Sequence, residues 1–110
     1  MKLKEKKIET FGIKIAAEEN GKEIGGCFIY LIKNRLYEEL YALLEDVYVD
    51  KNFRGRGIGT ELVRKAIELA KNLNCYKIIA ISRFGREKIH EWYQNLGFKK
   101  FGSEFRMELK

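Results

Sequence analysis

Proline is absent from this chain of 110 residues, and cysteine, histidine and tryptophan are scarce at two, one and one. Without proline or any biased run, and with 45% hydrophobic and 35% charged residues, the sequence excludes low-complexity linkers and points to a compact fold. Cys27 and Cys75 stand in strand-like or strand-edge contexts. They give no disulfide framework, and with His90 they fall short of a usual ligand set, so no metal is expected and both read as packing thiols. Met1 to Lys7 holds no apolar core for a signal peptide, and no uncharged run approaches membrane-spanning length. The expectation is a cytoplasmic protein without membrane contact, forming one domain over residues 1–110 around one core.

What the chain does have is concentrated between Leu43 and Leu73. A strand ending Val47-Tyr48-Val49 runs into Arg54-Gly55-Arg56-Gly57-Ile58-Gly59-Thr60 and then into a helical repeat. Glycine at every second position admits backbone conformations that a Cβ blocks and leaves amide N–H groups uncovered. The first N–H groups of the following helix lack intrahelical partners and carry the positive end of its dipole, which suits phosphate. Arg54 and Arg56 add charge in the same turn. A tight strand-to-helix connection that binds nothing would satisfy the same glycines. Charge follows the same division. Residues 1–49 carry 8 basic and 9 acidic side chains, and residues 50–110 carry 14 and 7. A basic excess beside a phosphate-type turn fits a polyanionic small molecule, whereas no stacked-aromatic motif or recognition helix speaks for nucleic acid.

Taken in order, Ile8–Glu18 and Lys22–Ile32 read as strands joined at Asn20-Gly21, the pair a type I′ hairpin needs. Gly25-Gly26 marks a bulge or a close backbone approach. Leu40–Val49 is the next strand. Within it Glu45 and Asp46 are adjacent, so alternation should send them to opposite faces. From Ile58 the period becomes helical, with Leu62, Val63, Ala66, Ile67, Ala70 and Leu73 on one side. Tyr76–Ile81 reads as a strand buried on both faces, and a right-handed crossover makes it parallel to Leu40–Val49. Arg86–Asn95 forms a second helix stopped by Gly97, and Phe98–Phe101 with Glu104–Leu109 predicts a closing hairpin across Gly102-Ser103. This is an α/β (α+β) fold with a mixed, mostly antiparallel sheet and two main helices.

The spacing separates three phosphate turns. No Lys follows Gly59, which excludes the Walker pattern, and Thr60 stands where a dinucleotide fingerprint needs its last glycine. The stretch does match Arg-x-x-Gly-x-Gly after Leu-Glu-Asp-Val-Tyr-Val, and so resembles the acyl-CoA motif of the GCN5-related N-acetyltransferases (GNAT). Leu44-Glu45-Asp46 with Arg54-Gly55 is similar to the spermidine/spermine branch, and Trp92-Tyr93-Gln94-Asn95-Leu96-Gly97-Phe98 resembles the family's Phe-Tyr-x-x-x-Gly-Phe block.

That resemblance implies two parallel central strands splayed around the pantetheine arm of acetyl-CoA. The backbone of Val47, Tyr48 and Val49 would hold the arm, and Arg54, Gly55, Arg56, Gly57, Ile58, Gly59 and Thr60 would hold the pyrophosphate. Ile79, Ala80, Ile81 and Arg86 would line the cofactor as well. Tyr93, which periodicity alone places in the core, takes the position whose hydroxyl protonates the leaving thiolate. Glu45 matches the acid that helps deprotonate the attacking amine, and a salt-bridged strand acid is the competing reading. Asp46 is the expected negative control.

Two departures qualify the match. Arg86 replaces the Asn usually found seven residues before the Tyr. The family's helix pair after the first strand, which walls the acceptor site, is missing. Such a site either stays open to a small, peptide or protein amine or is completed by the second subunit of a homodimer. The implied function is acetyl transfer from acetyl-CoA to a primary amine by direct attack in a ternary complex. The alternative is a CoA-binding sensor or non-catalytic partner subunit.

Overall fold

Asn20 and Gly21 take φ of 54° and 77°, the left-handed pair that lets two strands turn within two residues. In the computed structural model, which describes residues 1–110, they join β1 (Gly12–Glu19) to β2 (Lys22–Ile32) as the sequence predicts. The strand begins at Gly12 rather than Ile8. Residues 1–11 form no regular element and are exposed, since four lysines and a glutamate among the first seven residues leave little to bury. β3 (Tyr41–Val49) pairs antiparallel with β2. No helix stands between β1 and β3.

The Gly25-Gly26 expectation holds in both senses. A Cβ at Gly25 would stand 2.9 Å from the Tyr48 carbonyl oxygen, and one at Gly26 2.8 Å from that of Ile15. The β1–β2 register slips at Ile24, and the β2–β3 register slips just beyond Gly26.

α1 (Ile58–Asn72) lies across one face of the sheet, closing Leu62, Val63, Ala66 and Ala70 onto Cys27, Ile29, Leu31, Ala42 and Leu44. These positions alternate along β2 and β3, as a strand with one core face requires. A buried Ile or Leu of this kind contributes about 1.5–3 kcal/mol. β4 (Ile78–Ala80) neighbours β3, giving the order β1-β2-β3-β4. The two run parallel. Tyr76 N–H donates to the Leu40 carbonyl at 3.1 Å and Ala42 N–H to that of Lys77 at 3.0 Å.

Three expectations are corrected at the carboxyl end. β4 has three half-buried residues, and Ile81 beyond it is 47% exposed, so the run from Tyr76 is a short edge strand rather than one buried on both faces. The closing hairpin does not form: residues 98–110 contain no strand. A two-residue hairpin turn needs positive φ at its first central position, and neither Gly102 nor Ser103 adopts it. Without those strands, the parallel pair sits at the sheet's edge instead of its centre.

The chain divides into two compact units, residues 1–79 and 80–110. Within the second, α2 (Glu87–Asn95) ends as predicted. Gly97 takes φ 105° and donates to the Gln94 carbonyl at 3.0 Å, and Phe98 N–H donates to that of Tyr93 at 3.1 Å.

Candidate active site

Between Tyr48 and Glu45 on β3 lie two residues, opposite a single residue between Gly26 and Phe28 on β2. The extra residue makes a β-bulge, and Asp46 carries it with φ 54°. Aspartate is among the few non-glycine residues that visit this region readily. The bulge also inverts the strand's face. Before it, Ala42 and Leu44 are buried; after it, Val47 and Val49 are the more covered residues and Tyr48 is exposed. Simple alternation therefore does not separate Glu45 from Asp46 as the sequence suggests, and both are exposed.

The Glu45 side chain makes no ion pair or hydrogen bond, so the competing reading of a salt-bridged strand acid has no partner here. It lies opposite Phe28 on the face away from α1, and the Phe28 ring stacks parallel to that of Tyr30 at 6.0 Å. On the same face the Tyr48 ring lies across Gly26 and its hydroxyl donates to Glu23, which pairs with Lys14 at 2.9 Å. Hydrophobicity could not single out Phe28 and Tyr30 in the sequence. Their place beside Glu45 depends on strand register.

Beyond β3 the chain makes one tight turn over Lys51–Phe53, capped by Asp50, whose carboxylate accepts from the Asn52 N–H at 3.1 Å. Arg54 Nε donates to the Val49 carbonyl at 3.1 Å, pinning the loop to the end of the strand. Gly55 and Gly57 both take positive φ, 82° and 79°, and nothing lies within 4 Å of where a Cβ would stand on either. The glycines answer a conformational demand, and the space beside them is open. Gly57 is the N-cap of α1 and no side chain caps the helix. The loop thus leads two positive-φ glycines, with nothing beside their Cβ positions, into the amino end of a helix that no side chain caps, and a helix amino terminus of this kind suits an anion.

Arg56 behaves differently from Arg54. Its guanidinium meets the Glu19 carboxylate through both nitrogens, at 3.2 and 3.4 Å, and sits 5.3 Å above the Phe53 ring. It ties the loop to the β1–β2 hairpin. A groove of about 380 Å³ lies there, walled by Glu18, Glu19, Arg56, Glu61 and Lys65. With three carboxylates against two cations, it does not suit phosphate.

Val47–Val49 and Arg54–Thr60 are thus brought together in the first unit with Glu45. Ile79 and Ala80 are half-buried on β4. Arg86 and Tyr93 belong to the second unit. Arg86 is the N-cap of α2 and makes no capping bond. Tyr93 is half-buried, its ring 4.9 Å from that of Trp92 and 5.4 Å from that of Phe98, edge to face. It packs among aromatic rings without being part of the buried core. His90 Nε2 donates to the Arg83 carbonyl at 2.9 Å, which places the neutral ring's proton there.

Neither cysteine is an activated nucleophile. Burial pushes the Cys27 thiol up to about 11 and raises that of Cys75. Cys27 Sγ also lies 3.9 Å from the Leu62 carbonyl, a packing contact. No cluster of three or more His, Cys, Asp or Glu could hold a metal ion, and no helix is long and apolar enough to cross a membrane.

Known proteins are similar to this chain in sequence and in fold. Over 66 residues the chain is 36% identical to the glucosamine 6-phosphate N-acetyltransferase of Trypanosoma brucei brucei, covering 60% of this chain and 43% of that protein. Over 85 residues it is 38% identical to an uncharacterized N-acetyltransferase of Methanocaldococcus jannaschii, covering 76% and 37%. An aminoglycoside acetyltransferase from an uncultured soil metagenomic sample superimposes with a TM-score of 0.79 at 28% identity, covering 91% and 67%. The chain spans less than half the length of these two curated relatives. The names of these relatives give an amino sugar phosphate and an aminoglycoside as acceptors, so they carry the family and not the polyamine branch. The model of the acetyltransferase (GNAT) family matches residues 3–98, and the chain belongs to that family.

Proposed function

We propose that the chain moves an acetyl group from acetyl-CoA to a primary amine by direct attack in a ternary complex. The observation that carries this reading is the segment from Glu45 to Thr60. It joins an unpaired carboxylate, a bulge and a glycine loop leading into an uncapped helix. The amides of Gly55–Thr60 would hold the pyrophosphate, with Arg54 adding charge, and the backbone of Val47–Val49 would hold the pantetheine arm. A bulge interrupts the ladder, so main-chain donors near Val47 are available to polarise the thioester carbonyl where negative charge develops. The family assigns Ile79–Ile81 and Arg86 to the cofactor as well.

The amine nitrogen attacks the carbonyl carbon, the carbon–sulfur bond breaks, and the thiolate takes a proton, for which Tyr93 is the assigned donor. The ammonium must first lose its own. Ordinary values for a carboxylate and an alkyl ammonium differ by roughly six units, so Glu45 serves through a water relay rather than by direct abstraction. Phe28 and Tyr30 beside Glu45 offer ring faces to a cationic acceptor. Leu44-Glu45-Asp46 with Arg54-Gly55 supports a polyamine, whereas the relatives' names favour an amino sugar. The working compartment would be the cytoplasm.

Thiol release from acetyl-CoA with polyamines, amino sugars, amino acids and N-terminal peptides tests the reading, with cofactor binding followed by calorimetry. Glu45→Gln and Tyr93→Phe should each lower kcat/KM by about 10²–10⁴-fold with cofactor binding kept. Binding with no turnover on any amine would establish the sensor instead. Failure to bind acetyl-CoA would reduce the glycine loop to a connection.

A further inference from the structure

Glu19 lies outside every motif in the chain, yet it holds a residue of the glycine loop. It is the last residue of β1 and stands opposite Lys22 across the two-residue turn Asn20-Gly21, in which both φ angles are positive. A turn that short fixes the strand residues on either side, so the Glu19 carboxylate is presented from a rigid support. The loop is of the opposite character. Gly55 and Gly57 have open space where a Cβ would stand, and glycine adopts either sign of φ with similar ease. Such a segment gives up much conformational freedom on being ordered, and a ligand that has to order it binds more weakly as a result.

Between these two glycines, the Arg56 guanidinium meets Glu19 through two nitrogens at 3.2 and 3.4 Å and lies 5.3 Å from the centre of the Phe53 ring. The entry to the same loop is tied to β2, where Asp50 N–H donates to the Ile24 carbonyl at 2.7 Å. The hairpin thus grips the loop at its entry and at its middle. We propose that Glu19 is a positioning residue for the cofactor: acting through Arg56, it holds Gly55–Gly57 in the conformation that receives the acetyl-CoA pyrophosphate. This rests on the function proposed above for the loop. The Arg56 guanidinium does not itself touch phosphate, since its charge is matched by Glu19, and Glu18 and Glu61 line the same groove.

The test combines calorimetry of acetyl-CoA binding for Glu19→Gln, Arg56→Gln and the double variant with hydrogen exchange of each chain free of cofactor. As an exposed pair, the tie should be worth about 1.5- to 5-fold in Kd. Each single variant should lose that factor, and the double variant should lose no more than either, because both changes remove one interaction. The KM for acetyl-CoA should rise alike while kcat is kept. Gly55 and Gly57 amides should exchange faster in all three variants, a readout that needs no cofactor. Unchanged exchange, additive losses in the double variant, or Arg56→Gln weakening binding while Glu19→Gln leaves it unchanged or tighter would each overturn the proposal. A wild type that binds no acetyl-CoA would overturn the proposed function together with this inference, whereas a wild type that binds beside variants that bind equally well would overturn this inference alone.

Discussion

The two faces of the β1–β3 sheet are made by alternate residues of the same strands and have opposite fates. The face toward α1 carries Cys27, Ile29, Leu31, Ala42 and Leu44, all buried. The other carries Lys14, Phe28, Tyr30, Glu45 and, past the bulge, Tyr48, none of them fully buried. One face supplies stability, and the other carries the residues of the proposed acceptor side. The bulge at Asp46 is where the strand passes from one duty to the other.

The sharpest way to break this comparison is to cut into the first face. Ile29→Ala should cost about 2–5 kcal/mol in denaturant unfolding, through lost burial and the cavity left behind. Glu45→Gln, one strand over on the opposite face, should change stability by no more than about 0.5 kcal/mol while impairing turnover. Were the two variants equally destabilised, the division of labour between faces would be wrong. Gly57→Ala tests the loop that joins them. Placing a Cβ at φ 79° should cost about 1–2 kcal/mol and weaken acetyl-CoA binding in calorimetry, although nothing crowds the new methyl.

The core face also has a pH signature. Folding raises the Cys27 thiol from 9.0 to about 11, so between those values the unfolded chain has lost a proton that the folded chain keeps. Stability from this group is complete below pH 9 and falls as pH rises toward 11. Unfolding midpoints measured from pH 8 to 11 should decline, and Cys27→Ala should flatten that decline. The smallest effect is expected at the hairpin tie. Glu19→Gln and Arg56→Ala should each cost about 0.2–1 kcal/mol in unfolding, as exposed pairs do, and less at high salt. Tighter acetyl-CoA binding in Glu19→Gln would instead show that Arg56, once released, turns to phosphate.

Much of the fold was legible because its signals are local. Asn20-Gly21, the period from Ile58 to Asn72, Gly97 after α2 and the loop glycines each constrain φ or one helix face within a few residues. The glycine loop and the place of Glu45 on β3 rest on local signals of the same kind. Longer-range features were not legible. The residues flanking Glu45 on its face, Phe28 and Tyr30, come from β2, well upstream in the chain, and only register assembles them. Alternation failed at Asp46 because the bulge arises from pairing with β2, and nothing in Glu-Asp-Val announces it. The Phe98–Leu109 hairpin failed because apolar alternation describes what a segment could pair with and not whether a partner is present.

The sequence by itself determined the Asn20-Gly21 turn, the two helices and a glycine loop of positive φ after β3, since backbone conformation and side-chain period are properties of neighbouring residues. Only the tertiary structure decided that Glu45 stands unpaired beside Phe28, that Arg56 is held by Glu19, and that residues 104–110 are left without a strand to join. Those outcomes depend on which distant segments meet, and a meeting of that kind is settled by burial and pairing across the whole sheet.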